Sequence, residues 1–180
     1  MNISLNRLKL TRTSALLLTF TAIMAAAEPP ATRATLTPEP DRKPAPEFAL
    51  SDASGKMVSL KDYRGKVVLV DFWATWCHGC KLEIPWFSEF AKTYASQGFE
   101  VVGVSLDGDG WKVLRPFLAE AKIPYEIVLG DDATAQRFGI EAMPDTFLVD
   151  QKGRLAAAYR GGLVDRTNIE ANIKTLLANR

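Results

Sequence analysis

The chain has 180 residues, and its 22 Lys and Arg residues nearly balance 21 Asp and Glu residues, which leaves a formal net charge of +1. This balance gives no indication of nucleic-acid binding, which is typical of strongly basic chains. The apolar fraction of 47% and the charged fraction of 24% are those of a globular protein with one ordinary domain.

The first 27 residues differ in composition from the rest. Arg7, Lys9 and Arg12 form a basic start, and an uncharged, mostly apolar stretch at 13–27 ends in three alanines. This pattern is typical of a secretory signal peptide with a small-residue cleavage site. A membrane-spanning helix needs about 20 apolar residues, so an uncleaved anchor is the less favoured alternative. The sequence therefore predicts export to the periplasm, with residues 1–27 as a signal peptide or N-terminal anchor.

Behind this segment, residues 28–45 are rich in proline and predict an extended linker, and residues 46–180 predict one α/β domain. Apolar periodicity and turn residues predict the elements of that domain. In chain order these are a β-hairpin at 48–60, a strand at 67–73, a helix at 78–97, a strand at 99–105, a helix at 111–122, a strand at 125–129, a helix at 133–138, a hairpin at 146–159 and a helix at 165–178. This order predicts a mixed central β-sheet flanked by helices, preceded by an N-terminal β-hairpin.

The chain contains two cysteines, Cys77 and Cys80, directly behind a predicted buried strand and at the start of a predicted helix. A bridge across so short a loop adds little stability, so this spacing indicates a redox-active pair and not a structural bridge. Free N–H groups at a helix start favour a thiolate, so we assign Cys77 as the nucleophile and Cys80 as the resolving thiol. His78, the only histidine, is expected to lower the pKa of Cys77 by its partial positive charge.

Two acidic residues occupy apolar positions. Asp71 interrupts the strand before the cysteines, and Glu83 follows Cys80 by three positions, on the same helix face. Burial of a carboxylate is costly, so a raised pKa is expected for both acids. Such an acid can exchange a proton with Cys80, and we therefore predict a catalytic role for both. The alternative for Glu83 is an acid that only stabilises the helix N-terminus.

The segment 70–85, with the sequence VDFWATWCHGCKLEIP, resembles the active-site segment of thioredoxin-fold proteins. More narrowly, it is similar to that of the exported TlpA/ResA-type thiol–disulfide oxidoreductases. Segments 59–69 and 139–150 resemble the lead-in strand and the cis-proline loop of the same family. One position departs from the family pattern, because Gly79 stands where a proline usually precedes the second cysteine. The resemblance implies a thioredoxin-like fold.

The resemblance also implies how a client protein would bind. Pro144 would be cis and face the cysteines, and Met143 would offer backbone hydrogen bonds to an extended client segment. Trp76 would supply apolar contact surface beside the nucleophile. A membrane protein would donate electrons, and apocytochrome c or copper-site proteins are the typical clients of the family.

The predicted function is that of a periplasmic thiol–disulfide oxidoreductase that reduces client disulfides through Cys77 and Cys80, without a cofactor. An oxidase or isomerase is the first alternative, because a stabilised thiolate makes the disulfide a stronger oxidant. A copper-binding module is a second alternative, although Cys77, His78 and Cys80 are too close in sequence to surround one metal easily. A peroxiredoxin is disfavoured, since no Pro-x-x-x-Thr-x-x-Cys run is present.

Overall fold

The computed structural model describes residues 31–179, so the signal peptide predicted at 1–27 lies outside the described residues. Among those described, no helix combines the length and the apolar character that crossing a membrane requires.

The elements agree closely with the sequence prediction, and the predicted fold class is confirmed. The largest difference is at the end of the first helix, where the last turn, Ala95–Gln97, is a 3-10 turn that Gly98 ends with a φ of 81°. The elements are β1 (Ala49–Ser51), β2 (Met57–Ser59), β3 (Val67–Trp73), α1 (His78–Tyr94), β4 (Phe99–Ser105), α2 (Trp111–Ala121), β5 (Glu126–Leu129), α3 (Asp132–Phe138), β6 (Asp145–Val149), β7 (Leu155–Tyr159) and α4 (Arg166–Ala178).

Strand β3 lies at the centre of a five-stranded sheet with the order β5-β4-β3-β6-β7. It pairs in parallel with β4 and antiparallel with β6. All seven of its residues are buried, as expected for a strand that is covered on both faces. Because β3 leads directly into α1, a strand that is buried over its whole length positions the cysteines.

The two faces of β3 belong to different parts of the core. Val67 and Leu69 pack with apolar residues of α1 and α4 on one face. Val70 and Phe72 pack with the β1–β2 hairpin and with Phe138 of α3 on the other. A third cluster joins Trp73 and both cysteines to α2 and β5, so the redox pair is part of the core.

The proline-rich segment is packed against the domain over its described part. Thr37 donates its N–H to the carbonyl of Ala156 at 2.8 Å, and the carbonyl of Lys43 accepts the N–H of Leu155 at 2.8 Å. Ala45 is buried. Residues 37–45 therefore lie along β7 and are held to it by backbone hydrogen bonds near both ends, with a 3-10 turn at Glu39–Asp41 that interrupts the extended chain predicted from composition. The domain boundary at residue 46 stays a prediction.

Candidate active site

The two cysteines lie at the junction between β3 and α1. Cys77 is the N-cap residue of α1, and a disulfide joins it to Cys80 with an S–S distance of 1.99 Å. The backbone N–H of Cys80 donates to the sulfur of Cys77 at 3.2 Å. Cys77 is 7% exposed, whereas Cys80 is fully buried. A partner can therefore reach the Cys77 sulfur first, and the helix N-terminus favours a thiolate at that atom.

The turn before the cysteines is held by Asp107, which follows β4. Its carboxylate accepts the backbone N–H of Thr75 at 3.0 Å and the Thr75 hydroxyl at 2.6 Å. The hydroxyl of Ser105 donates to the same carboxylate at 2.8 Å. Asp107 is only 5% exposed, so these bonds are shielded from water. The parallel pairing of β3 and β4 brings this acid to the cysteine turn, where it positions the chain that enters α1.

The cis-proline loop lies against the same turn. The Met143–Pro144 peptide bond is cis, as the family resemblance implied. A Cβ atom added to Gly79 would lie 3.4 Å from the Cδ atom of Pro144, so this proline faces the residues between the cysteines. Met143 packs against the cluster that contains the disulfide. Trp76 is 68% exposed next to Cys77, which makes it the most exposed large apolar side chain in the described chain.

His78 is the first residue of α1, and it is exposed to solvent. Its predicted effect on the thiolate stays a prediction. Within residues 31–179, no three His, Cys, Asp or Glu side chains are grouped so that they could hold a metal ion.

Both predicted acids are buried, Glu83 on the inner face of α1 and Asp71 in β3. Glu83 is 0% exposed, and its Oε1 atom accepts the backbone N–H of Val164 at 2.7 Å. Asp71 is 1% exposed and accepts the hydroxyl of Thr146 at 3.2 Å. In the described part of the chain, the second oxygen of each carboxyl group has no hydrogen-bond partner. Each acid is therefore buried with only one of its carboxyl oxygens hydrogen-bonded to the protein.

Burial is the main cause that raises the pKa of both acids. The neighbouring Asp71 carboxyl raises the pKa of Glu83 further, whereas the Val164 N–H lowers it. Tyr125 is half-buried nearby, and loss of hydration together with the charges of Asp71 and Glu83 raises its pKa well above the usual value. Each acid therefore holds its proton at a higher pH than an exposed carboxyl group would.

Glu83 and Cys80 share the inner face of α1. That face continues with Phe87, Phe90 and Tyr94, all of which are buried. The predicted inward orientation of Glu83 is therefore observed, and its carboxyl group lies one helical turn from the resolving thiol.

The structure places the predicted site residues in two groups and leaves His78 at the surface. One group surrounds the bonded Cys77 and Cys80 and consists of Trp76, Met143 and Pro144. The other is the buried pair of acids, Asp71 and Glu83. Sequence reasoning missed Asp107, Tyr125 and Val164. For Asp107 a signal existed, because Ser105 and Asp107 are polar residues at the end of a buried strand. Val164 contributes a backbone group, which leaves no trace in residue type.

Comparison with known proteins identifies the family. Residues 42–158 match the model of the AhpC/TSA family. The chain belongs to the AhpC/TSA family. It is 32% identical over 133 residues to the thiol-disulfide oxidoreductase ResA of Geobacillus thermodenitrificans, a match that covers 73% of this chain and 75% of that protein. ResA of Bacillus subtilis is 32% identical over 122 residues, which cover 67% of this chain and 68% of the relative.

Solved structures agree with this assignment to the AhpC/TSA family. A thiol:disulfide interchange protein of the thioredoxin family from Chlorobium tepidum TLS superimposes with a TM-score of 0.67. The sequences are 27% identical, and the match covers 76% of this chain and 97% of that one. The predicted thioredoxin-like fold is thus confirmed, and this AhpC/TSA family member is a thiol–disulfide oxidoreductase.

The buried acids predict how stability depends on pH. Their pKa values are raised in the folded state, so their stabilising contribution is complete below about pH 4, where the acids of the unfolded chain are protonated too. This contribution to the free energy of unfolding is lost as the pH rises through the folded-state pKa values of the two acids. The free energy of unfolding of the oxidised protein should therefore fall from pH 4 upward. Glu83→Gln should reduce that fall by roughly 1–3 kcal/mol.

Denaturant unfolding at a series of pH values measures this effect. Glu120→Gln, which changes an exposed acid of α2, serves as the control and should leave the pH dependence as it is in the wild type. Equal pH dependence in Glu83→Gln and the wild type would contradict the burial of an ionisable group.

Two glycine substitutions test the packing at the site. Gly79 has no left-handed backbone conformation, and a Cβ atom there would make only an ordinary contact with Pro144. Gly79→Ala should therefore raise the free energy of unfolding by roughly 0.5–1 kcal/mol. Gly103→Ala should lower it by roughly 1–3 kcal/mol, because its Cβ would lie 2.6 Å from Ile127 Cδ1 and 3.0 Å from Trp73 Nε1. If denaturant titrations show that Gly79→Ala also destabilises the protein, Pro144 packs against residue 79 too tightly to admit a Cβ atom.

Proposed function

We propose that this enzyme reduces disulfide bonds of exported client proteins. The observation that carries the proposal is the contrast in exposure between its two cysteines. Cys77 is slightly exposed at a helix N-terminus, whereas Cys80 is fully buried behind it. This is the arrangement of a thiol that attacks a partner and a thiol that waits to displace that partner.

The proposed reaction begins with the reduced enzyme. The Cys77 thiolate attacks one sulfur of a client disulfide, so that a Cys77–client bond forms while the client bond breaks and its leaving thiolate takes up a proton. Cys80 then loses its proton and attacks the Cys77 sulfur, which forms the Cys77–Cys80 bond and releases the second client sulfur as a thiol. Two electrons pass to the client, and a dithiol donor must reduce the enzyme again.

The acids serve the second step. Cys80 is buried, and burial in apolar surroundings disfavours its thiolate, so its proton needs an acceptor close by. Glu83 lies on the same face of α1 and has one unpartnered oxygen atom. We assign it as the group that takes this proton, with Asp71 beneath it as the second acid of the pair. His78 is assigned to thiolate stabilisation at Cys77.

The client binds to the surface around Cys77. Trp76 offers an exposed aromatic face, and an extended client segment would pair with the backbone of Met143 before the cis Pro144. The client is therefore a protein thiol or disulfide that can present an extended segment to this loop.

The pattern at 1–27 supports a setting outside the cytoplasm, because it is typical of a secretory signal peptide. We propose a periplasmic enzyme that a membrane protein keeps reduced. Apocytochrome c and copper-site proteins are the client classes to test first, on the family resemblance.

Trapping experiments test the roles of the two thiols. Cys80→Ala should accumulate mixed disulfides with client proteins, because nothing displaces the client from Cys77. The matched variant Cys77→Ala should form none and should lose disulfide reductase activity. Non-reducing gels and mass spectrometry of the trapped species give the readout and identify the clients. Trapping through Cys77→Ala instead would reverse the assignment.

The redox equilibrium with glutathione tests the direction. A reductase needs a low reduction potential, so its disulfide should stay mostly oxidised in millimolar reduced glutathione. An oxidase or isomerase is the competing function, and the helix N-terminus at Cys77 favours it by stabilising the reduced form. Ready reduction of the Cys77–Cys80 bond by glutathione, followed by acid quench and alkylation, would favour this alternative.

A further inference from the structure

The hydrogen bond to Glu83 comes from a loop with little rigidity of its own. The Val164 N–H that Glu83 accepts belongs to residues 160–165, which join β7 to α4. This loop contains two adjacent glycines, and Gly161 has a φ of +64°. Consecutive glycines leave the backbone many alternative conformations. Val164 itself is 1% exposed and packs with apolar residues of α1 and α4, so the direction of its N–H depends on this packing and on the contacts that hold the loop from outside.

The proline-rich segment holds the outer side of this loop. Thr32 donates its N–H to the carbonyl of Leu163 at 2.7 Å and accepts the N–H of Asp165 at 2.8 Å. These two bonds enclose Val164, with which Thr32 forms a parallel bridge. The Thr32 hydroxyl also lies 3.2 Å from the carbonyls of Gly162 and Leu163. The backbone on both sides of Val164 is thus fixed by one residue.

The residues that follow Thr32 fasten the segment to α4. Arg33 forms an ion pair with Asp165, the N-cap residue of that helix. Ala34 donates its N–H to Asn168 at 2.9 Å, and its carbonyl accepts the side-chain amide of Asn172 at 2.9 Å. The inner side of the loop has a separate support, since the N–H of Gly161 donates to the buried Asp145.

We infer that residues 32–34 position the proton acceptor of the reaction, with Thr32 as a positioning residue that aims the Val164 N–H at Glu83. This inference rests on the proposed role of Glu83 toward Cys80. The segment that the sequence predicts to be a linker is, in its described part, one layer of the support around the active site.

The surroundings of Glu83 give this bond its importance. Asp71 faces Glu83 from β3, Tyr125 faces it from the chain before β5, and the cysteines lie on its own helix. At the start of α4, Asp165 and Arg166 pair with Arg33 and Glu89.

Burial and the Asp71 charge both disfavour the ionised form of Glu83, and the Val164 N–H is the group that favours it. A loop released by Thr32 therefore leaves Glu83 protonated to a higher pH and unable to accept the proton of Cys80.

The test uses stopped-flow reaction of the reduced full-length protein with Ellman's reagent. The first chromophore released reports attack by Cys77, and the second reports resolution by Cys80. Thr32→Pro removes the N–H and the hydroxyl but keeps an extended backbone. We expect the second phase to slow about tenfold near pH 7 and its pH midpoint to rise by about one pH unit, while the first phase stays within about twofold.

Four further variants complete the experiment. Thr35→Pro makes the same change at an exposed residue that forms none of the docking bonds, and both phases should match the wild type. Glu83→Gln should slow the second phase and remove this pH dependence. Adding Thr32→Pro to Glu83→Gln should then have no further effect on the second phase. Thr32→Ala, which removes the hydroxyl and the methyl group but keeps the N–H, should give a smaller upward shift and replaces Thr32→Pro if that variant does not fold.

The outcomes distinguish the role of Thr32 from the role of Glu83. The positioning role of Thr32 is overturned if the pH midpoint of the second phase in Thr32→Pro equals that of the wild type. The same holds for Thr32→Ala where it replaces Thr32→Pro. Equal slowing of both phases also overturns this role. A second phase that Glu83→Gln leaves unchanged overturns the role of Glu83 itself, whatever the Thr32 variants do.

Discussion

The site depends on one junction, where a fully buried strand ends and a helix begins. Strand β3 is fixed by pairing on both edges and by apolar packing on both faces, so the first turn of α1 starts from a rigid point. The N–H groups of that turn are directed at Cys77, and one of them donates to its sulfur. The polarity of the helix, the exposure of one sulfur and the burial of the other all follow from where the strand stops.

The acids beneath the helix show the cost of this chemistry. A core of this kind would be more stable with apolar residues at positions 71 and 83, because half-satisfied carboxyl groups are expensive to bury. Asp71 and Glu83 are nonetheless buried there, and in the proposed reaction Glu83 accepts the proton of the buried Cys80. Their placement fits the general pattern in which ionisable groups with shifted pKa values gather at reactive sites.

Much of this arrangement could be predicted from the sequence, because its signals are local. Apolar periodicity fixed the element order, and the spacing of Cys77, Cys80 and Glu83 placed all three on the first two turns of one helix. Asp107 stands out locally as a polar residue at the end of a buried strand, but its contact with Thr75 requires β3 and β4 to be neighbours, which no local pattern reveals. The proline content predicts an extended segment, but composition does not show which surface of the domain the segment packs against. Backbone partners such as the Val164 N–H are invisible for the same reason.

The shortness of the redox loop has a consequence for recognition. The bond between Cys77 and Cys80 closes a loop within one helical turn, with Cα atoms 5.4 Å apart, and it ties no distant segments together. Breaking this bond therefore releases no constraint between distant parts of the fold. The change begins in the turn beside Trp76, so a partner that distinguishes the oxidised from the reduced enzyme has to contact that turn.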